Sequence, residues 1–139
     1  LSLSFIVATI LFSACAGNTG KDEAKAATPK PGTIVAAAEM PIKEDSLNHF
    51  SYSVKVIADS NVAAGIYDVD ADYGPNLATG QFTMPKGGES LVPLIRVGSK
   101  PYTYIIGFKV ANDTTFYDYF EVSSDGKSTK MQYLNSYTF

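Results

Sequence analysis

Three aspartates alternate along one short segment of the chain, and their spacing is the clearest pattern in it that could do chemistry. Asp68, Asp70 and Asp72 stand at every second position between Tyr67 and Tyr73. In an extended strand such residues project to one side, with successive carboxylates about 7 Å apart. Because Ca²⁺ accepts carboxylate oxygens in varied arrangements, the segment is a candidate calcium site. The alternative is a solvated edge strand whose like charges prevent unwanted strand pairing.

A second candidate site combines two tyrosines with a glutamate. Tyr117, Tyr119 and Glu121 also alternate, opposite Phe116 and Phe120, and are predicted to share one face of a strand. An exposed tyrosine pair can stack on a sugar ring or on a partner protein, because the ring offers a large rigid area with a polar tip. The alternative is that both tyrosines are ordinary core residues. The sequence therefore predicts either a ligand-binding face or a packed one.

The chain contains few of the residues that other kinds of catalysis need. The chain has one histidine, His49, and one cysteine, Cys15, and it contains no Gly-x-Ser-x-Gly pattern. A single histidine cannot supply the three or four ligands of a zinc site. We therefore expect no catalytic residues. The rival interpretation is a small carboxylate-dependent enzyme acting on glycans through Glu121 or the three aspartates.

The charge balance argues against nucleic acid as a partner. Eleven basic residues stand against fourteen acidic ones, the net charge is −3, and no basic cluster occurs. Phosphate backbones are bound mainly by clustered lysine and arginine. We therefore expect partners of another kind.

Apolar and polar residues alternate with a period of two over most of the chain from about residue 48, which is typical of strands with one buried face. Turn signals separate seven predicted strands, and Asp125-Gly126 predicts a type I′ hairpin turn. No segment has convincing helical periodicity. The pattern predicts an all-β domain at residues 48–139, a single antiparallel β-sandwich of the immunoglobulin-like or transthyretin-like kind.

The first fifteen residues indicate where the protein works. Residues 1–14 carry no charge and end in small residues before Cys15, and the run is shorter than the about 20 residues of a spanning helix. The segment Leu11-Phe12-Ser13-Ala14-Cys15 resembles the lipobox of bacterial lipoprotein signal peptides. This resemblance implies cleavage before Cys15, a covalent lipid on its thiol, and anchoring in the bacterial cell envelope at the outer membrane.

A further short motif bears on orientation. Lys21-Asp22-Glu23 resembles the export signal that some Bacteroidota lipoproteins carry just after the lipidated cysteine. The resemblance implies surface exposure, and both periplasmic and surface-facing orientations stay open.

Residues 15–47 are rich in Gly, Ala, Lys, Thr and Pro, and are predicted to be a flexible tether in which residues 34–38 form at most a short strand or helical turn. The sequence as a whole predicts a non-catalytic, lipid-anchored envelope protein that acts as a binding or structural accessory module. Its expected partner is an envelope protein complex or a glycan, and a carbohydrate-binding surface lipoprotein is the nearest variant.

Overall fold

A computed structural model describes residues 28–137 of the chain, apart from residues 46, 48, 86–90 and 111. The predicted signal segment, the lipidation site Cys15 and the motif Lys21-Asp22-Glu23 lie outside the described residues. The strands are β1 (Ile34–Pro41), β2 (Ser51–Ala58), β3 (Ile66–Tyr73), β4 (Asn76–Thr83), β5 (Leu94–Val97), β6 (Thr103–Phe108), β7 (Tyr117–Ser124) and β8 (Thr129–Tyr133), with short 3-10 turns at Lys43–Asp45 and Val62–Ala64.

The strands form two antiparallel sheets of four. The first sheet has the order β1-β2-β3-β4 and the second the order β5-β6-β7-β8. The predicted all-β class is therefore confirmed. Within the part of the chain that the structure describes, no helix is long and apolar enough to cross a membrane.

The structure has eight strands where the sequence predicts seven. The additional strand is β1, which pairs with β2 from Ile34 opposite Ile57 to Pro41 opposite Ser51. The segment lies within the predicted tether, and its alanine-rich composition gives no strong apolar stripe. Its regular structure depends instead on the backbone hydrogen bonds that β2 supplies. The strand content of the domain therefore begins at residue 34 and not at residue 48.

The connectivity also differs from the immunoglobulin prediction. Immunoglobulin sandwiches distribute their strands between the two sheets through Greek-key connections. Here each sheet contains four consecutive strands, because short turns join neighbours within a sheet and residues 84–93 make the one connection between sheets. The strand order therefore differs from that of an immunoglobulin domain.

The core lies where side chains of the two sheets meet. The rings of Tyr52 and Tyr104 are 5.2 Å apart, and those of Phe82 and Phe120 are 5.1 Å apart. The Tyr52 hydroxyl donates a hydrogen bond to the Val122 carbonyl at 3.0 Å. Both sheets thus contribute aromatic rings to one buried layer, and a hydroxyl of the first sheet is satisfied by the backbone of the second.

The strand directions bring four connections together at one end of the two sheets. Residues 42–50, 74–75, 98–102 and 125–128 join strands there, and we call this the Tyr102 end. Hydrogen bonds link the two sheets at this end. The Lys43 amide donates to the Tyr102 hydroxyl at 3.0 Å, and the Asn76 side chain donates to the Gly126 carbonyl at 3.2 Å.

Candidate functional site

A β-bulge in β7 divides the predicted tyrosine and glutamate site between two faces. Ile106 of β6 pairs with Phe120, while its neighbour Gly107 pairs with Asp118, so Tyr119 has no partner of its own. An extra residue of this kind reverses the alternation of the strand beyond it. Tyr119 and Phe120 are consequently both buried, although they are adjacent. The bulge therefore places the tyrosines on one face and Glu121 on the other.

Tyr117 and Tyr119 are both packed among other rings. Tyr117 stacks on Phe108 with centroids 5.5 Å apart, and its hydroxyl donates to the Asp113 carboxylate at 2.9 Å. Tyr119 is 8% exposed, and its hydroxyl donates to the Thr83 carbonyl at 2.6 Å. Burial raises the pKa of Tyr119. The two rings do not form the exposed pair that stacking on a sugar requires.

Glu121 lies on the outer face of the second sheet. Its carboxylate accepts a hydrogen bond from the Gln132 side chain at 2.9 Å. On the same face Arg96 forms an ion pair with Asp118 at 2.7 Å. Glu121, Arg96 and Asp118 border a small cavity of about 230 Å³. The structure therefore brings Glu121 close to a neutralised ion pair and separates it from the three aspartates of the first sheet.

The aspartates share one face of β3, as predicted, while Tyr67, Val69 and Ala71 are buried on the other. β3 lies between β2 and β4 and is not an edge strand, so protection of an edge is not their role. Lys55 of β2 stands directly opposite Asp70, and Gln81 of β4 donates to Asp68 at 2.9 Å. In the described part of the chain no group of three or more His, Cys, Asp or Glu side chains could hold a metal ion.

At the Tyr102 end two open clefts adjoin. One has a volume of about 650 Å³ and the other of about 600 Å³. Met40, Pro41 and Lys43 line both clefts and form the wall between them. The larger one, the Tyr102 cleft, is completed by Glu44, Ser99, Lys100, Pro101 and Tyr102. The smaller one, the His49 cleft, is completed by Glu39, Ile42, His49, Phe50 and Ser51.

Tyr102 fixes the geometry between these clefts and the core. Its φ angle is +51°, in the left-handed region that bulky residues rarely adopt. Its hydroxyl donates to the Glu44 carboxylate and accepts from the Lys43 amide at 3.0 Å. The ring meets Tyr73 edge-on with centroids 5.3 Å apart. These contacts hold the side chain on both sides and offset the strain of the backbone.

The Tyr102 cleft is lined by basic, acidic and apolar side chains. Hydrogen bonding to the Glu44 carboxylate raises the pKa of Tyr102 above its usual value. Lys43 and Lys100 are exposed, and Arg96–Asp118 is the one ion pair among the described residues. A cleft of this kind can bind an anionic group beside an apolar surface. The single histidine of the chain, His49, lines the adjoining cleft.

Sequence reasoning did not find this site, although the glycine and proline of residues 98–101 predict a turn there. The site depends on contacts between residues 58 and 59 positions apart, Tyr102 with Glu44 and with Lys43. No local pattern in the sequence shows that these segments meet.

Comparison of the chain with protein-family models, with curated proteins and with solved structures found no match to it.

Proposed function

We propose that this protein is a non-catalytic, lipid-anchored accessory module of the bacterial envelope, and that it recognises its partner through the two clefts at the Tyr102 end. In this proposal the two sheets pack face to face as a β-sandwich, Cys15 carries the anchoring lipid, and the segment before β1 connects the two. The observation that carries the proposal is Tyr102, whose strained backbone and doubly bonded hydroxyl shape the larger cleft.

The strained backbone of Tyr102 supports a recognition role, because it lowers the stability of the fold and such residues are retained mainly at functional sites. A residue outside its favoured backbone region destabilises a protein by about 1–3 kcal/mol, and such residues cluster at binding and catalytic sites. At Tyr102 the strain is combined with two open clefts, with volumes of about 650 and 600 Å³, in the size range of ligand sites. The clefts also lie on connecting loops supported by a rigid sheet edge, the usual place for recognition residues.

The residue inventory favours binding over catalysis. His49 is the single histidine of the chain, and assignment of Cys15 to the lipid leaves no thiol for nucleophilic chemistry. A catalytic pair made of Glu121 and one of the three aspartates is disfavoured, because Glu121 is on the second sheet and the aspartates are on the first. Two acids that work as a pair in such enzymes are within about 10 Å of each other across one bond of the substrate.

The test is capture of a partner from detergent-solubilised envelope, with the mature protein as bait. Lys100→Glu reverses a charge in the Tyr102 cleft, and Lys109→Glu reverses an equally exposed charge at the other end of the sheets. We expect the unmodified protein and Lys109→Glu to retain one stoichiometric partner and Lys100→Glu to lose most of it. Equal capture by both variants would place recognition elsewhere.

The rival enzyme is tested with the same preparations. Single replacements of Asp68, Asp70, Asp72 and Glu121 by the corresponding amides should leave capture unchanged. Release of reducing sugar ends from envelope glycans by the unmodified protein, abolished by one of these replacements, would contradict the non-catalytic proposal.

A further inference from the structure

Strand β4 is an edge of the first sheet, and its length, its regularity and its lack of charge distinguish it from the other three edges of the two sheets. Its eight residues Asn76–Thr83 carry no charge and no proline, and they pair with β3 in an unbroken register. Long, regular, uncharged edges are templates for a further strand, and most proteins protect them. This edge lacks the usual protection.

The other edges show that protection. β1 has a bulge near Ile34, ends in Pro41 and lies against β5. β5 is only four residues long and carries Arg96. β8 is five residues long and carries the exposed Lys130. Short length, bulges, proline and lysine are the devices that keep edges from pairing, so β4 is the exception in this fold.

Hydrogen bonds at the end of β4 show which of its backbone groups point outwards. The Met84 amide donates to the Gly65 carbonyl, so residues of even number face β3. Thr83 points the other way, since its amide donates to the Tyr133 hydroxyl at 3.0 Å and its carbonyl accepts from Tyr119 at 2.6 Å. By the same alternation Leu77, Thr79 and Gln81 point their amides and carbonyls away from the sheet.

The outward groups of this segment are bounded at both ends. Pro75 precedes it and has no amide hydrogen, and the groups of Thr83 are already bonded to tyrosines. Leu77, Thr79 and Gln81 therefore form a run of three residues centred on Thr79. Such a run is complementary to an antiparallel copy of itself, because each amide then meets a carbonyl.

We propose that β4 pairs with β4 of a second copy of this chain about a two-fold axis at Thr79, which joins the first sheets of two protomers into one sheet of eight strands. Thr79 then lies opposite its own counterpart, and Leu77 lies opposite Gln81. Three residues with two groups each give six backbone hydrogen bonds across the axis.

The side chains along the edge suit this arrangement. Thr–Thr pairs across antiparallel strands are favourable, and Leu77, which is 64% exposed, is covered by the partner strand. Ala78 and Gly80 are small and let the strands approach. The aspartates of the two β3 strands are three strand spacings apart, about 14 Å, which exceeds the Debye length of about 8 Å at physiological salt.

The test is the mass of the full-length chain in solution, measured by sedimentation equilibrium from about 1 to about 500 μM, because small interfaces bind in the micromolar range or more weakly. We expect a reversible monomer–dimer equilibrium. Thr79→Lys places two like charges on the axis, and we expect it to weaken the dimer at least tenfold. Thr114→Lys adds the same charge at an exposed residue of the connection between β6 and β7, away from β4, and should leave the equilibrium unchanged.

Thr79→Pro removes an amide that β3 does not use, so it provides a second variant that blocks pairing without a new charge. Circular dichroism shows whether each variant keeps the β-sheet spectrum. A monomeric mass for the unmodified chain over the whole range would overturn the proposal. It would do so even if β4 paired with a peptide of another protein instead. Dimerisation of Thr79→Lys or of Thr79→Pro at the strength of the unmodified chain would overturn it as well.

Discussion

Two glycines in strands offer a test of how the packing of this fold tolerates one added methyl group. A Cβ atom built on Gly107 would meet the Tyr117 carbonyl oxygen and, at 2.6 Å, two atoms of the Phe116 ring. A Cβ atom built on Gly80 would meet the sulfur of Met131. In both cases the nearest atom is closer than the 3.0 Å limit that real Cβ atoms respect. The two overlaps are similar in size, but the added Cβ meets a backbone oxygen at Gly107 and a side-chain sulfur at Gly80.

The difference lies in what can move. Tyr117 opens β7 beside the bulge at Tyr119, and its carbonyl cannot shift without displacing the strand, so we expect Gly107→Ala to lower the free energy of unfolding by about 3 kcal/mol or more. The Met131 sulfur is near the end of a flexible side chain, and a changed rotamer costs about 0.5–1.5 kcal/mol. Replacing glycine by alanine within a strand stabilises the folded state by about 0.5–1 kcal/mol. We therefore expect Gly80→Ala to change stability by less than about 1 kcal/mol.

Urea denaturation followed by circular dichroism measures both variants against the unmodified chain, at a protein concentration below the range in which a dimer is expected, so that self-association does not enter the comparison. The result expected is a lower midpoint for Gly107→Ala with an unchanged slope, and nearly coincident curves for Gly80→Ala. Equal losses in the two variants would refute the argument that backbone contacts and the bulge make Gly107 obligatory.

Three further predictions concern the core, the pH range and the anchor. Tyr52→Phe removes the bond to the Val122 carbonyl and should cost about 1–2 kcal/mol in urea denaturation, whereas Tyr133→Phe, at a ring that is 52% exposed, should cost less than about 0.5 kcal/mol. Burial raises the pKa of Tyr104 from 10.0 to about 12, so the neutral phenol is favoured in the folded state. The stability that Tyr104 contributes is complete below pH 10.0 and should fall as the pH rises towards 12, by up to about 1.4 kcal/mol per pH unit from this residue alone. A melting temperature that stays constant between those pH values would contradict this. Mass spectrometry of the mature protein should find an acylated amino-terminal Cys15, and an intact segment 1–14 would overturn the anchor.

Period-two alternation predicted the faces of β3 correctly. Along β3 it separated Val69 and Ala71, which are buried, from the three aspartates on the outer face. It failed in β7, where the bulge at Tyr119 moves Glu121 to the face opposite the tyrosines. A bulge depends on pairing with the neighbouring strand, so residues 117–121 alone do not show it.

The hairpin signal at Asp125-Gly126 predicted the position of a turn and not its type. β7 and β8 are joined there, with Ser124 paired to Thr129. A type I′ turn needs a positive φ at both central residues, but Gly126 has φ +92° and Asp125 is not among the residues with positive φ. The Asp125 carboxylate instead accepts the amides of Lys127 and Ser128, both at 2.8 Å, which favours a longer loop.

The elements that sequence reasoning missed are those that tertiary contacts create. β1 has weak apolar alternation and exists because β2 offers it an edge. The Tyr102 cleft requires segments that meet only in the folded chain, and the positive φ of Tyr102 is unexpected for a bulky residue before the structure is known. Local patterns predict faces and turns, whereas contacts between distant segments decide edges and clefts.

Recognition at the Tyr102 end is tested most directly by hydrogen–deuterium exchange of the mature protein, alone and with the partner that it captures from the envelope. We expect slower exchange on binding at residues 42–45 and 98–102, which frame the Tyr102 cleft. Exchange at residues 59–65, at the opposite end of the sheets, should not change. Protection at residues 59–65 or 109–110 with none at residues 98–102 would contradict it.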